Sequence, residues 1–123
     1  MKKVYLIIVA ILFIGCASKE MLMVRHMEIQ NVNINNIQDG EYVGSFSYCG
    51  FEYKVKTMVK AHRIVDIEIL QNRDTKHAKI AEGVLPEIIK QQTPNVDAIS
   101  GATTTSKALM KAVANSLEGS ASR

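Results

Sequence analysis

The part of the chain best suited to chemistry is a run of small and hydroxyl-bearing residues near its C-terminal end: Gly101, Ala102, Thr103, Thr104, Thr105 and Ser106. Gly101 has no Cβ, so the backbone there can turn sharply or approach a ligand closely. Ser and Thr are common helix N-caps, and the free N–H groups at a helix N-terminus bind anions, most often phosphate. The run therefore predicts either an ordinary capped helix start or a phosphate site, and spacing alone does not separate the two.

Apolar residues flank this run on both sides. Upstream, the apolar residues among 96–99 indicate the buried end of a strand. Downstream, apolar residues recur at i, i+3 and i+4 spacing, which predicts a helix over residues 104–117. Thr104 or Thr105 is expected at its N-cap. A strand, a tight turn and a helix start are thus predicted to meet at the hydroxyl-rich run.

The same segment resembles the Asp-x-x-Ser/Thr-Gly-Ala-Thr motif of the FMN-binding domain family. The matching positions are Asp97, Ser100, Gly101, Ala102 and Thr103, and the similarity extends from about residue 39 to about residue 117. In that family a flavinyltransferase attaches FMN to the last Thr of the motif through a phosphoester. The resemblance therefore implies a covalent FMN on Thr103, with a cofactor-binding segment formed by Asp97, Ser100, Gly101, Ala102, Thr104 and Thr105.

The N-terminal end resembles an export signal. The basic Met1-Lys2-Lys3 precedes an apolar, uncharged run over residues 4–15, which is shorter than the about 20 residues that a membrane-spanning helix needs. A signal peptide over residues 1–15 is therefore predicted. Leu12-Phe13-Ile14-Gly15-Cys16 resembles a lipoprotein box, which implies lipidation of Cys16 on the extracytoplasmic side of a membrane of the bacterial cell envelope. Secretion without a lipid is the alternative.

Composition excludes several classes of function. The chain of 123 residues carries a formal net charge of +3, and without Lys2 and Lys3 its 15 basic residues fall to 13, against 12 acidic ones. Because basic and acidic residues are nearly equal in number, the sequence indicates no concentrated basic face of the kind that binds nucleic acid. His26, His62 and His77 have no ligand spacing, so no metal site is predicted. The hydroxyl-rich run has no recognisable catalytic base, so no catalytic residue is expected.

Period-two alternation predicts a three-stranded antiparallel meander that begins after the turn at Asp39-Gly40. The expected strands cover residues 42–48, 51–60 and 64–69, and short helices are expected over 77–82 and 85–91, the first capped by Asp74 or Thr75. With the strand at 96–99 and the long helix, the fold class is α+β, a small antiparallel sheet of three to four strands with two main helices on one face. Val32 and Ile34 alternate with Asn residues, which indicates a short edge strand or an extended segment.

The expected organisation is a signal peptide over residues 1–15, a lipid-anchored tether and approach segment over 16–38, an FMN-binding domain over 39–119 and a tail over 120–123. The aromatic side chains of the first strand, Tyr42, Phe46 and Tyr48, are expected in the core, with the alternative that one ring packs against a flavin.

The resemblance implies an extracytoplasmic flavoprotein that carries electrons, rather than a complete oxidoreductase. Its expected partners are a flavinyltransferase for maturation, a membrane-bound or extracytoplasmic electron donor and acceptor, and the membrane through the lipid anchor. The alternative function is that of a small lipoprotein binding or scaffold module without flavin, in which the hydroxyl-rich run only caps a helix.

Overall fold

A computed structural model describes residues 19–121 of the protein, and the predicted signal peptide and Cys16 lie outside the described residues. Helix α1 covers residues 19–25 of the described part. The remaining elements are a 3-10 turn (Ile34–Asn36), β1 (Gly40–Tyr48), β2 (Phe51–Lys60), β3 (Arg63–Gln71), α2 (Lys76–Ala81), α3 (Val84–Gln91) and α4 (Thr103–Ala121). The α+β class is confirmed. Within residues 19–121, no helix combines the length and the apolar character needed to cross a bilayer.

The three strands form an antiparallel meander in the order β1-β2-β3, as the alternation predicts. Two-residue turns join them, one at Cys49-Gly50 and the other at Ala61-His62, and all four of these residues have positive φ. Such turns match the right-handed twist of paired strands. The carboxylate of Asp39 accepts a hydrogen bond of 2.8 Å from the Ala61 N–H, which ties the start of β1 to the second turn.

One face of the sheet is buried and the other is charged. The inward side chains of β2, from Tyr53 to Val59, are buried, whereas Lys56 on the outer face lies 3.8 Å from Glu41 and 3.1 Å from Glu68. This two-sided pattern follows from the period of a strand, since successive side chains point to opposite faces. Helix α4 covers the buried face by packing on β1 and β2.

Helix α4 approaches β1 at Gly44 with almost no space between the two backbones. A Cβ at Gly44 would lie 2.3 Å from both the Ala112 carbonyl oxygen and the Ser116 nitrogen. Beside this contact the Thr57 and Ser116 hydroxyl oxygens lie 2.9 Å apart in the core. Because Ser116 donates its own proton to the Val113 carbonyl, Thr57 is the donor to Ser116. Gly44 and this buried pair together set the position of α4 on the sheet.

Helices α2 and α3 begin and end within a residue or so of their predicted bounds. Thr75 is the N-cap of α2, and its hydroxyl accepts the Ala78 N–H at 3.1 Å. At the end of α3 the side-chain amide of Gln92 accepts the Ile64 N–H at 2.7 Å and donates to the Ile64 carbonyl at 2.9 Å. Gln92 therefore pairs with the edge of β3 as a strand residue would.

Two predicted strands are wrong, the one at 96–99 and the short edge strand at 32–34, whereas the alternative of an extended segment holds at Asn33. Residues 96–99 form no strand, because Pro94 has no N–H for a ladder and the Val96 N–H turns back to the Pro94 carbonyl at 3.2 Å. Residues 34–36 form a 3-10 turn instead of an edge strand. The Asn33 side chain accepts the Asn35 N–H at 3.1 Å and stabilises this turn, as short amide side chains do when they compete with a sheet.

Helix α1 and the segment between α1 and β1 both contribute to the core, which no pattern in the sequence predicts. Val24, Ile29, Ile34 and Ile37 are buried in the same cluster as the inner face of the sheet. The Cys49 N–H donates to the Glu20 carboxylate at 2.6 Å, which holds α1 against the β1–β2 turn. The N-terminal helix is thus packed on the domain.

We predict that Gly44→Ala lowers the free energy of unfolding by about 3 kcal/mol, because the added methyl forces the α4 backbone away from β1. Gly119→Ala is the matched control on α4, since a Cβ there meets no atom within 4 Å. Gly119→Ala should raise the free energy of unfolding by roughly 0.5 to 1 kcal/mol, because alanine has a higher helix propensity than glycine. Urea unfolding followed by circular dichroism measures both, and equal effects would contradict the proposed contact.

Candidate functional site

The approach to α4 is a tight turn over Ile99, Ser100, Gly101 and Ala102. The Ala102 N–H donates to the Ile99 carbonyl at 3.0 Å. Gly101 has a φ of 82°, whereas Ser100 does not have a positive φ, which defines a type II turn. A Cβ at Gly101 would meet no atom within 4 Å, so glycine is favoured there by its backbone conformation. The predicted sharp turn is confirmed.

Helix α4 begins one residue earlier than predicted, at Thr103. The Ser106 N–H donates to the Ala102 carbonyl at 2.9 Å, which makes Ala102 the N-cap residue. The expectation of Thr104 or Thr105 at the N-cap is therefore wrong, because both lie within the first turn. Ser106 has another role, since its hydroxyl accepts the Ile99 N–H at 3.1 Å and joins the turn to the helix.

The start of α4 has no side-chain cap, because the N-cap residue is alanine. The N–H groups of Thr103, Thr104 and Thr105 precede the first carbonyl to which they could bond within the helix. No acceptor for them is found among residues 19–121. Three backbone donors at the positive end of the helix dipole are thus available to an anion.

The three threonines that carry these donors line a groove of about 290 Å³. This volume is near the lower limit of pockets for small molecules, so the groove is large enough to enclose only part of a nucleotide-sized ligand. Its lining comes from α1, the end of β1, the segment after β3, α2 and the start of α4: Met21, Arg25, Tyr48, Arg73, His77, Gly101, Ala102, Thr103, Thr104 and Thr105.

The structure brings most of the predicted site segment to this groove. Asp97 and Ser100 are the exceptions, since both are exposed and neither lines it. The groove is also lined by Arg25, Arg73 and His77, which no feature of the sequence connects with the site. No motif marks them, because they come from separate elements that meet only when the chain folds.

One aromatic residue, Tyr48, lines the groove, and its ring packs against the rings of Phe51 and Tyr53. The rings of Tyr48 and Tyr53 are stacked with centroids 5.8 Å apart, and their phenol oxygens lie 3.3 Å apart. Burial raises the pKa of the Tyr48 phenol, Tyr53 raises it further, and the Arg73 guanidinium opposes both effects. Tyr48 therefore presents a neutral hydroxyl. The Arg73 guanidinium carbon lies 3.9 Å from the centroid of the Phe51 ring.

A sequence profile of the FMN-binding domain matches residues 50–118, more than half of the chain. The chain belongs to the FMN-binding domain family. The match runs from the β1–β2 turn to α4 and includes the type II turn and the uncapped helix start, whereas α1 and β1 precede it. The groove fits the family's cofactor in chemical terms, because it combines anion-binding donors with apolar and aromatic surface. Family membership thus supports FMN as the cofactor and flavin binding as the biochemical property of this domain.

Proposed function

We propose that the protein is a lipid-anchored, extracytoplasmic flavoprotein that carries electrons through an FMN joined to Thr103 by a phosphoester. The observation that carries this proposal is the uncapped first turn of α4. Its residues, Thr103 among them, line a groove that combines three backbone donors for an anion with apolar and aromatic surface. FMN supplies transfer of one or two electrons when it is bound. The protein supplies the position and the electrostatic environment of the cofactor.

Thr103 is favoured over the neighbouring hydroxyls by its surroundings as well as by the motif. It is half-buried and lines the groove. Thr105 is only 8% exposed, and Ser106 is fully buried with its hydroxyl bonded to the Ile99 N–H. Thr104 is half-buried and is the remaining rival, but it follows the motif's modified position by one residue.

Attachment to Thr103 requires an activated flavin, because a simple monophosphate has no good leaving group. A flavin dinucleotide provides one. The Thr103 hydroxyl oxygen forms the new bond to the flavin-side phosphorus, the phosphoanhydride bond breaks, a nucleoside monophosphate leaves, and the hydroxyl proton passes to solvent. Asp97, which precedes the turn, and Ser100, which lies within it, are both exposed, so a flavinyltransferase can contact them while it acts on Thr103.

A covalent link suits a carrier outside the cytoplasm. Free FMN would dilute away from the protein, whereas a tethered flavin keeps a high effective concentration at its groove. Linkage through the phosphate leaves the redox-active ring unmodified. Because the groove encloses only part of the cofactor, the remainder stays accessible to an electron donor and an electron acceptor, which are membrane-bound or extracytoplasmic in this proposal.

We predict that Thr103→Ala gives folded protein with no covalent flavin after co-expression with a flavinyltransferase, because the accepting oxygen is gone. Thr105→Ala is the matched control and should retain the flavin, as should Thr103→Ser. Peptide mass mapping of denatured wild-type protein should find the FMN adduct on Thr103. An adduct on Thr104, Thr105 or Ser106 would contradict the assignment. Wild-type protein without flavin beside an active transferase would favour the scaffold function.

The proposed location depends on Cys16. We predict that Cys16→Ala loses incorporation of labelled fatty acid and leaves the membrane fraction, because the thiol that carries the lipid is removed and one lipid anchor is the main membrane attachment. Cys49→Ala is the matched control and should keep both properties. Membrane retention of an unlipidated Cys16→Ala precursor would instead make the apolar N-terminal run an anchor by itself.

A further inference from the structure

Two arginine side chains line the groove, and neither forms an ion pair within residues 19–121. Arg25 comes from α1 and Arg73 from the segment after β3. The ion pairs within residues 19–121 join lysines to carboxylates on the outer sheet face and at α2, and they include neither arginine. The groove therefore has two guanidinium groups without a carboxylate partner in the described part of the chain. Its uncapped helix start adds further positive potential.

Arg73 is held in place before any ligand binds. Its guanidinium stacks on the Phe51 ring at 3.9 Å, and its backbone N–H donates to the Asn72 side-chain oxygen at 2.8 Å. The Asn72 amide group donates in turn to the Ala78 carbonyl at 3.0 Å and to the Glu82 carboxylate at 2.8 Å. This network fixes the segment between β3 and α2, so Arg73 loses little freedom when it binds an anion.

Arg25 reaches the same groove from an element that precedes the family match. Helix α1 is held by the buried Val24, which is 4% exposed, and by the bond between the Glu20 carboxylate and the Cys49 N–H. Cys49 is two residues from Phe51, on which Arg73 stacks. Arg25 and Arg73 therefore lie near each other, because α1 contacts the β1–β2 turn at Cys49 and Arg73 stacks on Phe51 just after it.

We propose that Arg25 and Arg73 together bind the phosphate group of FMN and that α1 is thereby a wall of the flavin site. This inference rests on the proposed FMN site at Thr103 and extends it to residues of this chain that no motif marks. A guanidinium group offers two parallel donors to two phosphate oxygens. With the backbone donors of α4, the two arginines surround a phosphate from three separate elements.

The test compares FMN with riboflavin, which lacks the phosphate. Full-length Thr103→Ala protein in detergent, prepared without a transferase, is titrated with each flavin while flavin fluorescence is followed. Binding of FMN should be at least about tenfold tighter than binding of riboflavin, since charge-assisted hydrogen bonds to the phosphate account for the difference. Adding Arg25→Gln or Arg73→Gln should weaken FMN binding about tenfold each and leave riboflavin binding unchanged.

The controls separate charge recognition from folding. Arg63→Gln removes an exposed arginine at the start of β3 that does not line the groove, and it should change neither affinity. Arg25→Lys and Arg73→Lys should keep part of the preference for FMN. The proposal is overturned if the parent protein binds both flavins equally or neither, or if the Gln variants weaken both flavins alike. Covalent attachment is not used in this assay, so a preference for FMN in a chain that is never flavinylated would support the arginine site and contradict only the linkage.

Discussion

The contact between the α4 backbone and Gly44 is the constraint on which the site depends. Thr103 precedes Ala112 by nine residues, about 14 Å of helix, and Tyr48 follows Gly44 by four residues, about 13 Å of strand. Because both Thr103 and Tyr48 line the groove, α4 runs antiparallel to β1 from this contact. A side chain at Gly44 would separate the two elements and open the groove between their ends.

The start of α4 departs from the usual chemistry of helix ends. Alanine at an N-cap costs about 1 kcal/mol relative to serine or threonine, and three threonines lie just beyond that position without capping it. Residues that depart from the usual preferences of local structure, such as those of a helix N-cap, tend to lie at functional sites. Here the type II turn at Gly101 places Ala102 at the cap and leaves the first-turn donors to an external anion. A bound phosphate can stabilise the start of α4 by roughly 0.3 to 1 kcal/mol through its interaction with the helix dipole.

Local patterns predict much of this fold, and long-range contacts account for what they miss. Period-two alternation and turn residues identify β1, β2 and β3, and the motif identifies the segment around Thr103. The strand expected at 96–99 is absent because Val96 is buried, and Ala98 and Ile99 are partly buried, without pairing with another strand. The packing of α1, through Val24 and Glu20, and of the segment that follows it depends on contacts with residues far along the chain, such as Cys49. Local patterns do not identify Arg25 and Arg73 as groove residues for the same reason, since the elements that carry them meet only when the chain folds.

In the proposed flavin site, the first-turn N–H groups of α4 bind the phosphate of an FMN on Thr103. Amide hydrogen exchange measured by NMR on the flavin-loaded and flavin-free protein tests it most directly. The account predicts that exchange at Thr104 and Thr105 slows by about tenfold or more on loading, since these donors gain an acceptor. Unchanged exchange at both amides in fully flavinylated protein would contradict it.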